Sequence, residues 1–156
     1  MNNILDKLSS TSDAFPDKIA FAFIRKGNKK KTDSISFREL DQKSDRAARY
    51  LSNRGFKDGL VTLVLARPST EFVVLMYAML KTGAVPLLLP SIKIRKRSGR
   101  AQLRKILNRA RPVGVIGSGA LLAIRRILRL GPRKLRTITV RNLKKFYSNS
   151  NNGSGF

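Results

Sequence analysis

Apolar and small residues alternate over residues 18–24 and return over residues 34–37, on either side of the charged stretch RKGNKKKTD at 25–33. That pattern predicts a β-hairpin with a polar loop. Ser36-Phe37-Arg38-Glu39 then forms a capping box, in which the serine hydroxyl accepts from the third backbone N–H and the glutamate reaches back to the cap. A helix is expected over 37–53, with Leu40, Ala47, Ala48 and Leu51 as its buried stripe and Gly55 at a left-handed stop. The short apolar run at 61–65 reads as a strand buried on both faces of a parallel sheet. Pro68-Ser69-Thr70-Glu71 opens a helix, apolar nearly all round, that runs to Lys81 and ends at Gly83, and residues 85–89 read as the next buried strand. Strand, helix and strand with short connections make a parallel pair. Beyond Pro90 the alternation continues with a helix at 100–109, a strand at 112–116, a helix at 120–130 and a strand at 135–140. The fold class is therefore α/β, a hairpin followed by alternating helices and a mostly parallel sheet. Residues 1–147 form one unit, and residues 148–156 (SNSNNGSGF) have linker composition and are expected to be a flexible tail.

With 156 residues and 42% hydrophobic content the chain is long enough for one domain with a buried core. Composition then removes several chemistries. There is no Cys and no His, which excludes disulfides, Cys/His zinc sites, thiol nucleophiles and histidine triads. The 33 Lys and Arg against 9 Asp and Glu give a net charge of +24, and the excess is uneven. Residues 1–90 hold every acid and carry +6, whereas residues 91–156 hold none and carry +18. At average usage the 85 residues after Glu71 would hold roughly 10 acids. A partner, if there is one, is expected to be anionic. The first 18 residues contain Asp6, Asp13 and Asp17 and no apolar run behind a basic start, so a cytoplasmic setting is expected. The most apolar stretch, 72–89, is broken by Lys81, Thr82, Gly83 and Pro86 and reads as a buried helix and strand, so no transmembrane segment is expected.

Three segments, FPDKIAF (15–21), ISFRELDQKSDRAARYLSNRG (35–55) and KDGLVTLVLARPSTEFVVLMYAMLKTGAVPLLLP (57–90), occur in an order that resembles the opening of the AMP-forming acyl-adenylating enzymes. That superfamily includes acyl-CoA synthetases, fatty-acyl-AMP ligases, luciferases and peptide-synthetase adenylation domains. The agreement rests on Pro16, Asp17, Ile19, Ala20, Phe37, Glu39, Leu40, Ala48, Leu51, Gly55, Val61, Glu71, Phe72, Gly83, Ala84, Val85 and Pro86. More weakly, the chain to Val140 is similar to fatty-acyl members, including β-lactone synthetases of olefin biosynthesis. The resemblance implies ATP, Mg²⁺ and a carboxylic acid as reactants of a complete member, and acyl-AMP as its product. It also implies a Ser/Thr/Gly-rich loop ending in Pro-Lys-Gly for the phosphates, a later Asp for the ribose and a lysine on a small C-terminal domain. None of these motifs is in this sequence. Leu89 stands where similar fatty-acyl enzymes often have Asp before a Pro like Pro90, and the following IKIRKRSGR is more basic. The chain thus reads as a truncated N-terminal relative of an AMP-forming fatty-acyl ligase, scaffold without catalytic, cofactor-binding or metal residues, inactive alone and expected to bind no cofactor by itself. A separately encoded remainder of the enzyme is one partner this reading allows.

Other candidates have structural readings beside functional ones. Gly117-Ser118-Gly119 lies between a strand and a helix, as in dinucleotide-binding turns, but the third glycine position is Leu122 and no acid follows to hold a ribose. A strand-to-helix turn is the expected role. Ser69, Thr70 and Glu71 suit a helix cap. Asp41 and Asp45, four apart, are a weak metal pair that Lys43, Arg46 and Arg49 would neutralise on a solvated face. In the basic half, Leu103, Ile106, Leu107 and Ala110 oppose Arg100, Arg104, Lys105, Arg109 and Arg111. On the next helix Leu121, Ile124, Ile127 and Leu128 oppose Arg125, Arg126 and Arg129. Both helices are cationic and amphipathic. The alternative function is therefore a small basic α/β protein that adheres non-specifically to nucleic acid or anionic membrane. With Phe146 and Tyr147 the only aromatics of the basic half before Phe156, no stacking platform accompanies it.

Overall fold

The computed structural model describes residues 3–24, 32–89, 97–118 and 136–149. In chain order these form α1 (Ile4–Ala14), β1 (Ile19–Ile24), β2 (Thr32–Ser36), α2 (Phe37–Ser52), β3 (Val61–Leu65), α3 (Thr70–Thr82), β4 (Val85–Leu88), α4 (Arg97–Ala110), β5 (Gly114–Gly117), β6 (Arg136–Thr139) and α5 (Val140–Asn149). The expected α/β class is the observed one: β1 and β2 pair antiparallel, and β4, β3, β5 and β6, in that spatial order, form a parallel sheet. The helix expected at 120–130 and the hairpin loop at 25–31 lie outside the described residues.

Helices α1, α2, α3 and α5 start where a local side-chain hydrogen bond satisfies a free backbone N–H. At α2 the predicted capping box is present: Glu39 N donates to Ser36 Oγ at 3.3 Å and Ser36 N donates to Glu39 Oε2 at 3.2 Å. Glu39 also accepts from Lys43 Nζ at 2.9 Å; that bond, assisted by the backbone N–H of Ser36, holds its carboxyl below the usual carboxylate range against a burial cost. Helix α3 begins when Phe72 N donates to Ser69 Oγ at 3.2 Å and ends at Gly83, whose φ of +71° is open to glycine at little cost.

The sheet has two unequal covers. On one face, Val64, Ile116 and Ile138 join Leu40, Leu51, Leu75, Met79 and Leu143 in the main core beneath α2, α3 and α5. On the other, Leu63 and Val115 pack with Leu103 and Leu107 of α4. This alternation along β3 and β5 is the period-2 consequence of a strand buried on both sides. The stripe of α2 is Leu40, Ser44, Ala47, Tyr50 and Leu51, with Ala48 only half-buried.

Three elements depart from expectation. Strand β4 is an edge strand rather than a buried one, with Val85 46% and Leu88 49% exposed. Val85 N donates inward to Leu60 O, so Pro86, which has no N–H to offer, faces the unpaired side. Helix α1 has no counterpart in the apolar pattern: its only buried residues are Leu8 and Ser12, too few for a clear period. Its readable signal is Asn3 followed by Asp6, another capping box. Helix α5 is likewise absent from the pattern and runs through Ser148 and Asn149, which composition places in a tail. Thr139 Oγ1 caps it by accepting from Asn142 N at 3.1 Å, and Leu143 and Tyr147 form its buried stripe.

Between α2 and β3 the chain turns inward at Phe56, which is fully buried. A Cβ at Gly114 would lie 2.5 Å from its ring, so the aromatic and the glycine are fitted to one another. Phe56→Ala is expected to cost about 3–5 kcal/mol of unfolding free energy, and Gly114→Ala about 1–3 kcal/mol by overpacking. Urea denaturation of the double variant should show a loss smaller than the two combined, because the vacated ring space accepts the new methyl group.

Candidate functional site

The parallel sheet reverses direction of growth at β3. Helix α3 carries the chain from β3 to β4 on one side, while β5 and β6 lie on the other. The carboxyl ends of β3 and β5 therefore flank a topological switch point, the place where open α/β sheets present ligand crevices. Gly117 and Ser118 are located there, beside Leu65. The β3–β5 ladder runs on to those strand ends: Ser118 N donates to Leu65 O at 3.1 Å, and a Cβ on Gly117 would lie 2.7 Å from that same oxygen. Gly117 is thus required by the close approach of β3. Gly119 and Leu122 lie outside the described residues.

A group of polar side chains lies at the start of α3, where β2, α3 and α5 meet around a cavity of about 150 Å³. Thr70 Oγ1 donates to Asp33 Oδ2 at 3.0 Å, and Lys144 Nζ of α5 pairs with Glu71 Oε1. Burial works to raise the Glu71 carboxyl, but the hydrogen bond and charge of Lys144 and the hydroxyl of Ser69 outweigh it and hold the group below the usual carboxylate range. Tyr147, 4% exposed, lines the same cavity; burial, then the charges of Glu71 and Asp33, push its hydroxyl far above its ordinary value, so it stays protonated. Two carboxylates thus occupy the positive end of the α3 dipole, where a phosphate would otherwise be drawn. The cap and its ion pair position α5 against α3.

The pair Asp41 and Asp45 has a partner that local spacing does not reveal. Lys81, near the end of α3, donates to Asp41 Oδ1 and Asp45 Oδ1, each at 2.6 Å, and to the Asp41 carbonyl at 3.2 Å. The ammonium fills the place between the carboxylates that a metal ion would need. Among the described residues no group of three or more acids gathers as a metal site. In α4, Leu103 and Leu107 are buried while Arg104, Lys105 and Arg109 are exposed, as the amphipathic pattern requires. Among the described residues no helix is long and apolar enough to cross a membrane.

A carboxyl held low in the folded chain contributes stability above the unfolded value, and that contribution is lost as pH falls through the folded value. Glu71→Gln should therefore destabilise the protein at neutral pH, and the difference from the parent should vanish below the ordinary carboxylate range. Denaturant midpoints measured from pH 7 to pH 3 give this comparison directly.

Similarity to known proteins agrees with this geometry of framework and caps. The AMP-binding enzyme family matches residues 8–151. An olefin beta-lactone synthetase of Stenotrophomonas maltophilia is 38% identical over 108 residues, 69% of this chain and 18% of that protein. The chain thus spans less than a fifth of the length of this relative. Among solved structures, the N-terminal subdomain of Klebsiella oxytoca NpsA superposes with a TM-score of 0.66 at 21% identity, covering 91% of this chain and 32% of that one. The fatty acid AMP ligase of Legionella pneumophila gives a TM-score of 0.67 at 23% identity, covering 92% of this chain and 24% of that one. With the family match extending over nearly the whole sequence, the chain belongs to the AMP-binding enzyme family and carries an N-terminal α/β portion of it.

Proposed function

We propose that this chain serves as the N-terminal scaffold of an AMP-forming ligase acting on a fatty acid, with the groups that hold ATP and transfer the acyl chain supplied by polypeptide outside this sequence. The observation that carries the reading is the family match over residues 8–151, joined to a sequence that has no Pro-Lys-Gly phosphate loop. The polar groups found in the structure are consistent with scaffolding. Lys81 joins α2 to α3, and Lys144 joins α5 to α3. The fatty-acyl assignment draws on the Legionella ligase, whose name describes that protein. A cytoplasmic setting, a separately encoded remainder as partner, and the lack of ATP and Mg²⁺ binding by this chain alone belong to the same proposal. Non-specific binding to nucleic acid or anionic lipid gains no support from the family match.

The chemistry assigned to a complete enzyme is attack of a fatty carboxylate on the α-phosphorus of ATP, forming acyl-AMP and releasing pyrophosphate. Incubated with ATP, Mg²⁺ and fatty acids, residues 1–156 should release pyrophosphate at the background rate only. Replacing the matching stretch of the Stenotrophomonas synthetase by this chain should preserve that protein's beta-lactone synthetase activity. Turnover by residues 1–156 alone would refute the scaffold reading.

A further inference from the structure

Carboxylates, ammonium groups and a phenol share the wall of the cavity of about 150 Å³ between β2, α3 and α5. Tyr147 is the odd member of the set. Only 4% of it is exposed, yet its hydroxyl makes no hydrogen bond to any described residue. The charges of Glu71 and Asp33 act on that hydroxyl, which places it toward the carboxylate wall and, with burial, keeps it protonated. A buried phenol that keeps its proton and has no partner costs free energy until something in the cavity accepts from it. Asp33 is unbalanced in the other sense. It accepts from Thr70 Oγ1 at 3.0 Å but is in none of the ion pairs among the described residues. Lys43 and Lys144 do have carboxylate partners, Glu39 and Glu71, and each ammonium retains further N–H donors.

A ligand of one charge sign suits this wall poorly. A bare anion would meet Asp33 and Glu71, and a bare cation would meet Lys43 and Lys144 in a chain of net charge +24. A molecule with an ammonium at one end and a carboxylate at the other meets neither objection, since its ends match both signs and it carries no net charge. Size sets the other limit, because a cavity of this volume admits roughly six heavy atoms, as in benzene. We propose that the cavity at the start of α3 is a binding site for a small zwitterion of the glycine or β-alanine class, its ammonium on Asp33 and its carboxylate on the Tyr147 hydroxyl and a lysine ammonium. The ligand bridges β2, α3 and α5. The site is independent of the scaffold reading, and its failure would leave that reading standing.

Isothermal titration of glycine and β-alanine into residues 1–156 tests the assignment, with methylammonium and acetate as probes of a single charge. At least one zwitterion should give a saturable one-to-one isotherm in the millimolar range, and each single-charge probe should bind about tenfold more weakly or less well still. Tyr147→Phe removes the unpartnered hydroxyl and keeps the ring, so its melting temperature should equal or exceed that of the parent. Its affinity for the zwitterion, and that of Asp33→Asn, should fall by about tenfold or more. If Asp33→Asn does not fold, Tyr147→Phe decides the matter. Absence of saturable binding by both zwitterions overturns the proposal, and so does methylammonium or acetate bound as tightly as they are. Unchanged affinity in folded Tyr147→Phe overturns it as well. A Tyr147→Phe chain that fails to fold has the same consequence, because the hydroxyl then has a partner within the protein.

Discussion

The contact of α2 with α3 is the constraint on which the other elements depend. Leu40, Ala47 and Leu51 on one helix and Leu75, Ala78 and Met79 on the other have no exposed surface. Each buried leucine or methionine contributes about 1.5–3 kcal/mol through removal from water, so these apolar groups supply most of the adhesion. The Lys81 link to Asp41 and Asp45 adds less, because Asp45 is half exposed and such pairs are screened. Its value is positional, since one ammonium held by carboxylates one helical turn apart fixes how far α3 can slide along α2. With these helices fixed, β3 and β4 have a lid on one face, and α5 has a corner in which to dock. There Arg46 donates to the Tyr147 carbonyl at 3.2 Å, and the Tyr50 ring meets that of Phe146 at 4.9 Å, tilted by 50°.

The distribution of charge follows from the same arrangement. Among the described residues, Glu39, Asp41, Asp45 and Glu71 are in ion pairs that cap or join helices of the main core. The basic half draws on this supply only through Lys144 among the described residues, and its remaining cations have no acid of their own half to meet. An excess of this kind keeps copies apart in solution while destabilising the compact chain by self-repulsion. It also makes the carboxylates at the start of α3 count for more, since they lie where the basic helix α5 approaches the acid-bearing half.

Much of the architecture is legible along the chain, and for identifiable reasons. The strand at residues 61–65 has the bounds its sequence implies, because a continuous β-rich run between turn residues has few alternatives. The start of α2 is legible because Ser36 and Glu39 form a local device that needs no distant partner. What escapes depends on distance or on weak pattern. The edge position of β4 is a matter of strand order, which no periodicity encodes, although Pro86 hints at it. Helix α1 buries too little to show a period, and α5 is hidden by a polar composition that continues into the residues after it. The link from Lys81 to Asp41 and Asp45 spans 40 and 36 positions, and the link from Lys144 to Glu71 spans 73. In both, sequence identifies the carboxylates as paired or capping groups and cannot name the lysine. The dinucleotide-like Gly117-Ser118-Gly119 is explained at Gly117 by contact with the Leu65 carbonyl, a constraint visible only when β3 and β5 are side by side.

The framework is held by helix packing, with carboxylates of α2 and of the start of α3 engaged by lysines, and the groups that hold a nucleotide are proposed to lie outside this sequence. Isothermal titration of Mg²⁺-ATP into folded residues 1–156 tests this most directly. The expected trace is heat of dilution alone at every addition. A saturable, one-to-one binding isotherm would contradict it, because the isolated chain would then hold a nucleotide site of its own.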